Sequence, residues 1–121
     1  MVVVIPYAHL TGTLAPMWHD LAQAPTVERP YCVVCGRNWP LNNHHMVPRS
    51  AGEAYLFDRK LPKPTITLCG SGNTGGCHGK AHSGRLHFRW TKNYRLECLE
   101  LDEPTDRLTA LGMDGWRVIY E

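Results

Sequence analysis

The stretches His44-His45-Met46-Val47-Pro48-Arg49-Ser50 and Leu68-Cys69, followed by the loop 70–76 and Cys77-His78-Gly79-Lys80-Ala81-His82, decide how this 121-residue chain is read. Together they hold four of its seven histidines and two of its five cysteines. Just upstream stands Cys32-Val33-Val34-Cys35-Gly36, two thiols spaced to reach one ion across a tight turn, with a glycine that tolerates the backbone such a turn needs. Cys69 and Cys77 form a second pair. Seven residues lie between them, and Gly70, Gly72, Gly75 and Gly76 let that longer loop double back. Cys32, Cys35, Cys69 and Cys77 therefore suit a closed structural Zn²⁺ site, whose binding energy in a small domain is largely folding energy. Cys98 is left over, in an apolar-leaning run where a buried free thiol is expected.

CxxC, HHxxP and LC…CHxxxH in this order resemble the HNH endonucleases, a branch of the ββα-metal (His-Me finger) nucleases, especially the small ones encoded by bacteriophages. The resemblance covers 32–82. It implies an α+β fold, a ββα-metal (HNH) finger stapled by a four-cysteine zinc site. On that reading 1–28 is a short N-terminal extension, 29–84 the nuclease unit and 85–121 a small β-rich C-terminal extension, all within one compact domain.

On a helix, His78 and His82 lie four positions apart and share a face, so both imidazoles can reach a single ion. Cys77 is rotated from His78 by about 100°, so one helix start can serve two metals. His44, from a strand, would be the third ligand of a catalytic divalent ion, Mg²⁺, Mn²⁺, Ni²⁺ or Zn²⁺. Neighbouring strand residues face opposite ways, which keeps His44 and His45 off the same ion. The resemblance divides their labour: His45 becomes the general base that deprotonates the attacking water, and His44 binds metal. An uncoordinated imidazole, with a pKa near 6.5, is largely a free base at neutral pH. The family's middle Asn would fall near Pro64 or Thr65; neither is Asn, and Asn73 is the candidate to replace it.

Charge is unevenly distributed along the chain. Residues 29–95 carry 11 Lys and Arg against Glu53 and Asp58, whereas 96–121 carry seven acids against Arg107 and Arg117. A basic segment coinciding with the ligand motifs is the footprint expected where a polyanion docks. Arg49, Lys80, Arg85 and Arg89 are the candidate phosphate contacts, with Arg85 and Arg89 sharing a strand face. The acidic C-terminal third is expected to face away from DNA. Nothing in the chain suggests a reader of base edges, so weakly specific duplex cleavage is the expectation.

The expected partner is double-stranded DNA, and the resemblance to phage proteins adds terminase subunits of the packaging machinery. Monomer and homodimer both remain open. The apolar opening, 1–5, is too short for a membrane span and lacks the basic start of a signal peptide, so a cytoplasmic location is expected, the bacterial host's if the gene is a phage's. Other readings are a catalytically silent zinc module that binds nucleic acid or protein, a zinc site in which His78 or His82 replaces a cysteine, and an oxidoreductase using Cys32 and Cys35.

For local structure, the sequence suggests a strand over 2–5, a helix over 16–24 with His19 on the surface, strands over 42–47 and 65–68, and a turn of helix within 54–60. A helix over 78–83 ended by Gly84 follows. Alternation of Leu86, Phe88 and Trp90 with His87 and Arg89 gives a strand with its hairpin partner in 94–101. A helix begun at Glu103 or Pro104 and a last strand over 116–120 complete the pattern.

Overall fold

The computed structural model describes residues 10–121; the strand expected over 2–5 lies outside them. Among the described residues the chain is a mixed α+β fold with three small antiparallel sheets. No helix among them is long and apolar enough to cross a membrane. The first sheet joins β1 (Leu10–Gly12), β3 (Ala54–Leu56) and β4 (Arg59–Lys60). The second pairs β2 (Leu41–His45) with β5 (Thr65–Cys69), setting His44 opposite Ile66 and Leu41 opposite Cys69. The third runs β6 (Leu86–Trp90), β7 (Leu96–Glu100), β8 (Arg117–Tyr120).

Strand β5 is the middle of the molecule, with Ile66, Thr67, Leu68 and Cys69 all buried. On its free edge Val27 makes a parallel bridge to Ile66, with backbone bonds of 2.9 Å to Thr65 and 3.1 Å from Thr67. The Cys32–Cys35 turn docks beside it through Val33 N–H to Thr67 O, 3.0 Å. Helix α2 (Gly76–His82) packs between β5 and β6. The alternation read in β6 is realised: Leu86, Phe88 and Trp90 are buried and His87 and Arg89 only half so. Cys98 sits across from Phe88, fully buried, and burial pushes its thiol up to about 11.

Several local expectations give way to tertiary contacts. Residues 54–60 form a two-strand hairpin rather than a turn of helix, because Tyr55 and Leu56 find strand partners in β1. The strand expected over 42–47 ends at His45, since Met46 N–H turns to Pro64 O and Val47 enters the core. The helix expected over 16–24 is a 3-10 turn, Pro16–Trp18, followed by the single turn α1 (His19–Ala22). His19 is half-buried, not a surface residue, with Nε2 3.0 Å from Leu14 O. Helix α2 starts at Gly76, two residues before the expected His78. Helix α3 (Arg107–Leu111) starts three residues after Pro104, where the Asp106 carboxylate accepts Thr109 N–H at 3.1 Å and Thr109 Oγ1 at 2.8 Å. A cap that satisfies an orphan amide outweighs proline's preference for the first turn.

A buried ion pair ties the two ends of the described chain. Arg107 Nη2 lies 2.9 Å from Asp20 Oδ1 and 3.2 Å from Oδ2, and Asp20 Oδ2 also accepts Trp90 N–H at 2.9 Å. Arg107 donates further to Met17 O and Phe88 O, and its guanidinium lies 4.5 Å from the Trp18 ring centroid. Removing one member of a buried, fully bonded pair strands the other charge. Asp20→Ala is therefore expected to lower unfolding free energy by about 3–5 kcal/mol in urea titration; an unchanged midpoint would mean that the pair does not hold α1 to α3.

Candidate functional site

The cysteine turn closes locally: Gly36 N–H bonds Cys32 O at 2.8 Å, and Cys32 N–H bonds Arg37 O at 2.7 Å. Arg117 Nη2 in β8 holds Val34 O at 2.9 Å from outside. The second thiol pair is brought together by the glycine loop. Gly70 has φ +133°, and a Cβ there would stand 1.9 Å from Gly75 O; Gly76 has φ +60°, and a Cβ there would stand 2.5 Å from Cys69 O. Only glycine permits both the left-handed backbone and that approach. The end of β5 thus meets the start of α2, and Cys77 N–H points at Cys69 Sγ, 3.4 Å away.

The sulfurs of Cys32, Cys35, Cys69 and Cys77 all lie within 4.8 Å of one another, with 3.5 Å between Cys35 and Cys69. Four sulfurs bound to one zinc at about 2.3 Å would stand roughly 3.8 Å apart, so the cluster is consistent with a zinc site. The Cys77 thiol hydrogen-bonds Cys32 and draws that thiol down to about 4, with backbone amides assisting. Cys77, which holds the proton for Cys32 and is buried, is pushed up, and burial pushes up Cys35. Thiols crowded in this way are suited to a bound cation, which would compensate the charge of the thiolates that ligate it.

The next residue along α2 belongs to a different cluster. His44, His78 and His82 each offer a ring nitrogen within 4.8 Å of the others, a possible metal site on the chemistry of its donors. The rings are mutually edge-on, with His44 5.2 Å from both partners and His78 4.6 Å from His82, centroid to centroid. His78 Nδ1 donates to Gly72 O at 2.7 Å, which directs its Nε2 lone pair to His82 Nε2, 3.1 Å away. Two nitrogens bound to one ion at about 2.1 Å would stand roughly 3.0–3.4 Å apart. Burial, then the neighbouring imidazoles, hold His44 down at about 3, a neutral ring with a free lone pair at physiological pH. Burial lowers His78 as well. The thiol group is complete without either imidazole of α2, so neither is needed in place of a cysteine.

A cavity of about 610 Å³ opens onto the imidazoles. His44, His45, Arg49, Asn73, His78 and His82 line it. His45 is exposed where His44 is half-buried, yet both reach the cavity because β2 ends there. The remaining candidate phosphate contacts are placed differently. Arg89 Nε is 2.6 Å from Glu97 Oε1, its guanidinium lies 4.4 Å from the Trp116 ring centroid, and it occupies the β6 face opposite Phe88, the ring that faces His44. Lys80 pairs with Glu100 at 3.4 Å, and Arg85 Nε bonds Ser83 Oγ at 3.0 Å. Glu100, bonded by Arg117 and Lys80, is held below the usual carboxylate range. The acidic third does not simply turn away from the basic segment; through Glu97 and Glu100 it reaches back and pairs with it.

Sequence reasoning missed Asn43, which lines the cavity, and Asn42, whose Nδ2 donates to Gly70 O and braces the glycine loop against β2. The register of β2 against β5 decides both, and only the adjacency to His44 could have pointed to them. No protein-family model, curated protein or solved structure matches this chain.

Separate clusters make separable losses. Protein purified with Cys77→Ala is expected to lose its tightly held zinc and its cooperative melt, whereas His78→Ala keeps about one zinc per chain by atomic emission and melts within a few degrees of wild type. Loss of that zinc from His78→Ala would join the clusters into one site.

Proposed function

We propose that this chain is a metal-dependent HNH-type DNA endonuclease, with β2, β5 and α2 forming a ββα-metal finger stapled by zinc on Cys32, Cys35, Cys69 and Cys77. The observation that carries this reading is the convergence of His44, His78 and His82 at a cavity shared with His45 and Arg49. Bound by the three imidazoles, a divalent ion supplies positive charge for the phosphoryl oxygens and for the leaving 3′ oxygen.

The protein's own groups do the rest. His45, outside the ligand set and exposed, takes the proton from the attacking water. The water oxygen bonds to phosphorus, the P–O3′ bond breaks with its electron pair going to O3′, that oxygen takes a proton from solvent water, and the products are a 5′-phosphate and a 3′-hydroxyl. Gly72, by accepting from His78, fixes that ring so that its other nitrogen faces the cavity. Arg49, on the same wall, is the cation placed to hold the phosphate being cut. Asn73 shares that cavity and stands in for the family's middle Asn as a positioning group. No base-reading element is invoked, so cleavage is governed by backbone contacts and groove shape. Phage packaging proteins of the terminase type are the partners this reading suggests.

Supercoiled plasmid incubated with Mg²⁺, Mn²⁺ or Ni²⁺ is expected to relax or linearise. His45→Ala should slow this by on the order of 10² to 10⁴ with zinc content unchanged. Equal rates for wild type and variant would remove His45 from the mechanism, and an intact plasmid with both would leave a silent zinc module that binds nucleic acid or protein.

A further inference from the structure

The β3–β4 hairpin carries a side chain that folding does not explain. Its two strands pair Leu56 with Arg59, leaving Phe57-Asp58 as a two-residue turn. Phe57 takes φ +57° and is 79% exposed. Hairpin turns of two residues put glycine, asparagine or aspartate at such positions, and a bulky residue there is strained. Strain together with solvent exposure of an aromatic ring gains the isolated chain nothing, and strained residues cluster where ligands are engaged.

The surroundings say what the ligand is. At the hairpin's base an open trough of about 490 Å³ is lined by His45, Arg49, Glu53, Lys60, Leu61 and Lys63. His45 and Arg49 also line the histidine cavity, so the two spaces share a wall. Glu53 lies 3.7 Å from both Lys60 and Lys63 and offsets part of the charge, leaving the trough basic. Lys63 Nζ donates to Pro48 O and Arg49 O, at 3.0 and 3.2 Å, fastening the hairpin to the segment that follows His45. Arg59, exposed and close to Phe57 at the turn, makes no ion pair among the described residues. A basic trough that starts at His45 and lies at the base of a hairpin whose tip carries an exposed aromatic ring matches a charged backbone with stacked bases.

We infer that this hairpin is an arm that grips duplex DNA beside the cut, the trough seating the neighbouring phosphate and Phe57 wedging against a base step. This rests on the endonuclease reading and adds to it where the duplex runs and how it is deformed. An apolar wedge unstacks a step and bends the duplex, which would give a nuclease without base contacts a preference for flexible steps.

The test is equilibrium binding of the zinc-loaded full chain, with the catalytic ion withheld, to a short duplex carrying 2-aminopurine, alongside plasmid cleavage. Phe57→Gly removes the ring and relieves the turn, so it should melt no lower than wild type. It should also bind about tenfold more weakly and lose the rise in 2-aminopurine fluorescence that unstacking gives. Arg59→Ala with Lys60→Ala should flatten the slope of log affinity against log salt by about two. If wild type cleaves plasmid while these variants bind, brighten and respond to salt as it does, the arm is refuted and the nuclease stands. Loss of affinity for a single strand but not for the duplex would likewise refute it. Wild type that neither binds nor cleaves duplex would overturn both readings.

Discussion

Cys77 and His78 are joined by one peptide bond, and each belongs to a different cluster. This is possible only because α2 begins where β5 ends: the first turn of the helix must leave Cys77 against Cys69 while the rotation of about 100° to the next residue aims His78 at β2. Gly70 and Gly76 make the approach sterically allowed, and Asn42 braces the loop from the neighbouring strand. The helix is seven residues long, too short to be stable alone. Its position is therefore set by its tertiary contacts: the packing on β5 and β6, the sulfurs on one side and the imidazoles on the other.

The rest of the fold serves to hold this junction. Val27 closes the free edge of β5, Arg117 pins the cysteine turn, and β6 packs against α2 and presents Phe88 to His44. Behind β6, Asp20 and Arg107 bond to each other and to the β6 backbone, so the N-terminal and C-terminal segments grip one strand from both sides. A small domain with a modest apolar core gains more from such fastenings than a large one does. Elements that look like appendages in sequence are in contact with the walls of the histidine cavity.

The residues that cluster are legible in the sequence partly because their spacing is local, i and i+4 on a helix and CxxC in a turn, and partly because the motif resemblance joins those pieces and adds His44. The same rules yield β6 and its partner, where alternation is undisturbed. What could not be read depends on contacts distant in sequence. Residues 54–60 are a hairpin because β1, from the far N-terminal side of the chain, lies beside them. Lys80 and Arg89 look like free cations in sequence and are paired in space with Glu100 and Glu97, which a count of charges along the chain places in another segment. The start of α3 is different, since it was locally readable: Asp106 with Thr109 three residues on is a capping pattern.

Two ions held apart by one helix start are the centre of the proposed chemistry. Diffraction from crystals soaked in Mn²⁺, with anomalous data collected at the zinc and manganese edges, measures this most directly. The expected result is zinc among the sulfurs of Cys32, Cys35, Cys69 and Cys77, and manganese among the ring nitrogens of His44, His78 and His82. A single ion with mixed sulfur and nitrogen ligands, or manganese bound away from those three rings, would contradict it.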